Sequence, residues 1–218
     1  MTPIERKAQT EKILAAKGIS INPNLPLIES ASEIKLKNID DICKRAIGAL
    51  LATQLGVQLN EQRSEDAAMF VKLLNHFGVI DSLNSKEKKL LNGTATQQDF
   101  TDIVWEYECY WSLVWALGLV DDITDASDIC DCPTAIRFVS QSSGYDDFKS
   151  KCKLRSADEI LDMLDLYYRY HWAVVHHEHI DKNCSVGSLN GDVVFERRRG
   201  LEWLICDTED WYDISLDT

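Results

Sequence analysis

Proline and glycine are scarce in this sequence, four and ten of 218 residues. That excludes collagen-like and low-complexity architectures and leaves few interruptions in a helical pattern. Long apolar runs are missing too. The most apolar stretch, Cys109 to Val120 (CYWSLVWALGLV), is twelve residues, whereas a spanning helix needs about 20. Basic side chains are outnumbered 23 to 36, for a net charge of −13. Non-specific nucleic-acid binding and docking on anionic lipid both need a basic surface, so neither partner is expected. Residues 1–17 (MTPIERKAQTEKILAAK) lack the apolar segment of an export signal. Seven scattered cysteines make no even-numbered disulfide framework, and a reducing cytoplasm is the expected location.

Catalytic and nucleotide motifs are absent as well. There is no P-loop, no G-x-G-x-x-G and no G-x-S-x-G. Asp121, Asp122, Asp125, Asp128 and Asp131 crowd one segment, but Ile123 and Ala126 stand where a calcium loop places ligand and glycine. Cys130 and Cys132 have no second pair at metal spacing. The run His171–His179 (HWAVVHHEH) does not fit H-E-x-x-H. No cofactor and no metal are expected.

What is present is a large apolar content, 45% hydrophobic with six Trp, seven Tyr and six Phe, spaced mostly at periods near 3.6. The pattern predicts helices over 3–17, from Asn38 onward, from Ser64 to Gly78, and from Ser85 to Asn92. Further ones are predicted from Thr96 to about Gly118, from Pro133, over 157–179 behind the capping box Ser156–Glu159, and from Asn190 to about Cys206. Residues 18–32 read as an extended connector. The expectation is a single all-α domain, 1–218, with a buried Trp-rich central helix and an extended N-terminal connector. The acidic tail, 207–218, is expected to pack on the body.

Charges on apolar faces mark the candidate site. The helix over 97–118 is apolar nearly all round, with Glu108 inside, so that carboxylate must be paired, hydrogen-bonded or protonated. On the last helix Arg197 falls at the centre of the stripe Val193, Val194, Leu201, Leu204 and Ile205, while Arg198 and Arg199 turn away. Arg197 should therefore meet an inward acid, with Glu108 first and Asp165 second. On 157–179, His171 sits in the apolar face, and Asp158, Asp162, Asp165, Arg169 and His176 line the other. Asp165 and Arg169 stand at i, i+4. That second face reads either as solvated or as a polar groove able to hold a ligand.

Four blocks, WEYECYWSLVWALG (105–118), LDMLDLYYRYHWA (161–173), GDVVFERRRGLEWL (191–204) and WYDISLDT (211–218), together with an N-terminal ERK…G…INPNLP stretch, resemble the bacterial domain-of-unknown-function family numbered 4272. The likeness spans nearly the whole chain. It implies a mainly helical domain without an established activity. Its signature positions here are Glu108, Trp115, Asp165, Arg169, His171, Trp172, Glu196, Arg197, Trp203 and Trp211, with Tyr212 where an acid is expected.

The function expected is a non-enzymatic cytoplasmic binding or regulatory protein with a basic protein partner or a small polar ligand. A hydrolase-type enzyme or small-molecule sensor, using a pocket around Glu108, Asp165 and Arg169, is the alternative. A water-filled cleft at those residues favours the alternative, and a closed ion-pair network favours binding.

Overall fold

A computed structural model describes residues 1–218. The chain forms α1 (Pro3–Ala16), α2 (Ile39–Asn60), α3 (Ser64–His76), α4 (Ser85–Asn92), α5 (Gln97–Ala116), α6 (Cys132–Ser140), α7 (Tyr145–Ser150), α8 (Ala157–His179) and α9 (Gly191–Trp203). Single 3₁₀ turns lie at Ile80–Ser82 and Trp211–Asp213. There is no strand, as the periodicity anticipates. Helix starts are set by side-chain caps, which satisfy amides that have no partner within the helix. Thr2, Asn84, Thr96 and Ser156 each form a reciprocal capping box with the acid three residues on. Asn84 rather than Ser85 caps α4, and α7 was not anticipated because six residues hold too little of a period to read.

The helices pack in succession, α3 on α2, α2 on α5, α5 on α9, α9 on α8 and α8 on α1. One continuous apolar core runs through them, from Leu14 to Trp211. From Glu108 to Ala116 every residue of α5 is buried, while Val104, one turn earlier, is exposed. The helix is therefore buried all round only in its second half, where Trp111 and Trp115 sit. α5 and α9 touch at backbone distance. A Cβ on Gly200 would lie 2.7 Å from the carbonyl oxygen of Cys109, so only glycine fits. The connector wraps over α1 and α8, where Arg6 donates to the carbonyl of Glu29 (3.0 Å) and Arg169 to that of Pro26 (3.4 Å).

Candidate functional site

Glu108 and Arg197 form a buried ion pair between α5 and α9, Nε to Oε2 at 2.8 Å. Each also holds the aspartate-rich loop. Glu108 Oε1 accepts from the Cys130 amide (2.7 Å), and Arg197 donates to the carbonyls of Asp125 (2.6 Å) and Asp128 (3.3 Å). Tyr167 donates to the carbonyl of Ile123 (2.6 Å), and its hydroxyl accepts from Arg197 (3.2 Å). Burial carries the Tyr167 phenol up to about 12, against the opposing charge of Arg197. The loop thus turns its backbone inward and its five aspartates outward, all exposed.

Asp165 and Arg169 pair bidentately along α8, at 3.0 and 2.7 Å, and both are buried. The face that they share is buried at Asp165 and Arg169 and half-exposed at Asp158 and Asp162. Arg6, on α1, crosses it and donates to Asp162 (2.7 Å) and Asp158 (3.1 Å) while itself only 1% exposed. An arginine bridging two carboxylates ties α1 to α8 at the end opposite the histidines.

Arg198 and Arg199 do not turn away to solvent. Arg198 is buried, with Nη1 2.6 Å from His171 Nδ1 and further bonds to the carbonyls of Leu216 (3.1 Å) and Asp217 (3.1 Å). Arginine can only donate, so His171 accepts at Nδ1. Burial, then the Arg198 charge, depress the imidazole to about 4. Arg199 stacks on Phe195 and Tyr212 (4.6 and 5.0 Å) and pairs with Glu196. Glu196 Oε2 also accepts from the Cys109 thiol (3.2 Å), and burial raises its carboxyl. The outward side of α9 is covered because the tail folds back over it. Trp172 stacks instead on His176, 4.8 Å between rings. The remaining histidines of that run diverge, His177 to the carbonyl of Cys184 (2.8 Å) and His179 toward Glu178 (3.7 Å).

The seven sequence candidates are therefore distributed over separate groups: Glu108 with Arg197, Asp165 with Arg169, His171 with Arg198, Glu196 with Arg199, and Trp172 apart. None of the seven lines either of the two principal cavities.

A further buried cluster, not singled out from sequence, joins α2, α4, α5 and the tail. Arg45 donates to Glu87 and to the carbonyl of Ser82. Glu87 Oε2 accepts the Asn84 amide (2.7 Å), and the Asn84 side chain donates to Glu106 Oε1 (2.8 Å). Glu106 is fully buried. Desolvation, reinforced by the charge of Glu87, keeps its carboxyl protonated well above the range where surface glutamates ionise. The tail supplies the lid. Trp211 stacks on the Arg45 guanidinium at 4.5 Å, Tyr212 donates to Glu106 Oε1 (2.8 Å), and Asp210 Oδ2 accepts the Ser85 amide (2.8 Å) at the start of α4. The inward acid argument applied to Glu108 fits Glu106 as well, since α5 is apolar on that side too.

Beside this cluster opens a cleft of 710 Å³ between the start of α2, the start of α4 and residues 203–210. The segment 35–45 contributes Lys35, Lys37, Lys44 and Arg45 to it together with Asp41, and the tail contributes Asp207, Glu209 and Asp210. No histidine lines it. Its one thiol, Cys206, is raised by burial against the opposing charge of Lys37. A second cavity of 240 Å³ lies between α1, α8 and the start of the aspartate loop.

The model of one protein family, described as a domain of unknown function (DUF4272), matches residues 6–214. No curated protein and no solved structure matches the chain.

Proposed function

Because the chain belongs to the DUF4272 family, whose description names no activity, we propose a function from its own geometry: a non-enzymatic cytoplasmic binding protein. Its site is the 710 Å³ cleft and its ligand a small, polar molecule carrying both charges. The observation that carries this reading is the separation of the buried ionic groups from that cleft. The candidate acids and bases neutralise one another in closed pairs. The cleft itself offers binding groups without a nucleophile beside a base. On the α2 side four cations outnumber the single carboxylate of Asp41, and the tail side carries carboxylates alone, so a dipolar ligand is matched at both ends.

The test is thermal denaturation and calorimetric titration with a panel of free amino acids, inorganic phosphate and neutral sugars. A ligand at 100 times its Kd adds about 2.7 kcal/mol of stability. Zwitterions should raise Tm, neutral sugars should not, and Lys44→Glu should abolish the gain. A flat response across the panel overturns this reading.

A second reading is supported by the Glu108–Arg197 pair, which fixes the backbone of the loop carrying five exposed aspartates. Such a rigid acidic edge suits a basic protein partner. Capture that is lost on Asp122→Asn, Asp125→Asn and Asp128→Asn together, yet survives Lys44→Glu, would favour it over the cleft.

A further inference from the structure

The 240 Å³ cavity beside the aspartate loop has two polar side chains in its wall that the rest of the chain leaves unused. Thr10 of α1 and Trp115 of α5 line it at 4% and 3% exposure, with Met163 and Leu166 of α8 beside them. Thr53 and Trp203, buried likewise, donate to the carbonyls of Ile103 (3.0 Å) and Glu209 (2.9 Å). The Thr10 hydroxyl and the Trp115 indole N–H have no such partner within the chain. A buried polar group without a partner costs stability. Two of them on one cavity point to a guest that supplies the partners.

The cations of the same wall are already committed. Arg6 gives its donors to Asp162 (2.7 Å), Asp158 (3.1 Å) and the Glu29 carbonyl (3.0 Å), and the Met1 amino group lies 3.4 Å from Asp158. Arg155 stacks on the Trp115 ring at 4.8 Å. It donates to Glu159 (3.3 Å) and to the carbonyls of Trp115 (2.8 Å), Val120 (3.0 Å) and Asp121 (3.1 Å). That clamp fixes the start of the aspartate loop at the cavity rim. There Asp121 and Asp122 are exposed, and neither has a cation within ion-pair distance. Asp122 accepts only from Thr124, at 2.9 and 2.8 Å. The rim thus carries uncompensated negative charge, which attracts a cation and repels an anion.

We propose that this cavity binds a small amino alcohol, its ammonium held at the rim by Asp121 and Asp122 and its hydroxyl meeting Thr10 and Trp115 at the inner wall. The indole N–H can only donate, so the ligand must bring an acceptor oxygen to it. The Thr10 hydroxyl both donates and accepts, which matches a ligand hydroxyl. Between the two ends Ile13, Met163 and Leu166 suit a short methylene chain. The volume of 240 Å³ equals about eight waters at ~30 Å³ each, so the ligand has about that many heavy atoms. A carboxylate in place of the hydroxyl is disfavoured, because no uncommitted cation stands at the inner wall to meet it.

This site stands apart from the 710 Å³ cleft, with which it shares no lining residue. It selects against the zwitterions that the cleft suits, and it does not depend on what the cleft holds.

The experiment is calorimetric titration of the full chain with aminobutanol, butylamine and butanediol, each against sodium chloride at equal ionic strength. Aminobutanol should bind more tightly than butylamine, butanediol should give no heat, and Lys44→Glu in the cleft should leave the aminobutanol affinity unchanged. Asp121→Asn with Asp122→Asn should weaken aminobutanol about tenfold or more, the loss expected for a hydrogen bond to a charged group. Thr10→Val deletes a hydroxyl without a partner, so Tm should hold or rise while the aminobutanol affinity falls to that of butylamine. Should Thr10→Val not fold, the two exposed aspartates carry the test alone. No binding of aminobutanol, a response matched by sodium chloride, equal affinity for butylamine in the unmutated chain, or indifference to the aspartate substitutions would each overturn the assignment.

Discussion

Arg197 Nε and Glu108 Oε2 stand 2.8 Å apart across 89 residues of chain, and between them they hold the backbone of the aspartate loop from below. Glu108→Ala leaves a buried guanidinium without its carboxylate and releases the Cys130 amide. A stability loss of about 3–5 kcal/mol is expected in urea denaturation. Asp128→Asn, on the exposed side of the same loop, should stay within about 0.5 kcal/mol.

The buried Glu106 carboxyl should make the protein less stable as the medium becomes alkaline. Its folded pKa is raised, so the folded state binds the proton more tightly than the unfolded chain does. Stability linked to this group is therefore full below the unfolded value of 4.5 and falls as pH rises toward the folded value. Glu106→Gln, neutral at every pH, should remove that decline. Tm measured from pH 4.5 to 9 should show the two proteins diverging, the variant gaining relative to the wild type. Parallel curves would contradict a neutral Glu106.

His171 has the opposite sign. Its folded pKa is depressed to about 4 from 6.5, so the unfolded chain takes up the proton first. The stability it contributes is complete above about pH 6.5 and is lost as pH falls toward 4. NMR titration of the ring should show a neutral imidazole at pH 5.5, with the proton on Nε2.

Gly200→Ala should destabilise, although alanine is ordinarily the better helix former by about 1 kcal/mol. The added methyl would meet the Cys109 carbonyl at 2.7 Å and its Cα at 3.1 Å. Forcing α5 and α9 apart is expected to cost about 1–3 kcal/mol net, readable as a lower midpoint in urea with an unchanged slope.

Helix positions were legible where a cap and a period agreed. Ser156 with Glu159 opens α8 where the sequence places it, and α8 ends at His179 as expected. The Glu108–Arg197 pair was legible because each charge interrupts an apolar stripe. Arg45 carries the same signal, set between Cys43 and Ala46 in a run buried almost throughout from Ile42 to Gly56, and so does Glu106. Arg198 and Arg199 were not legible. A helical wheel separates the core side from the other side, but it does not say that a tail from beyond the helix will cover that other side. The position of Arg6 has the same origin, since α1 is weakly patterned and its burial comes from α8.

The tail contacts also impose an order on assembly. Tyr212 reaches Glu106 across 106 residues, and Asp210 reaches Ser85 across 125. During synthesis α2, α4 and α5 are made long before Asp210, Trp211 and Tyr212 emerge. Until then the Arg45 guanidinium lacks its aromatic cover and Glu106 lacks one of its two donors. A nascent chain halted after α9 would hold its helices around an unfinished centre, an open state for holdase chaperones and proteases to recognise. Completion comes with residues that contact sequence so remote that the closing step is slow by topology. Residues 210–212 thus complete a buried centre whose other members all lie more than a hundred residues earlier in the chain.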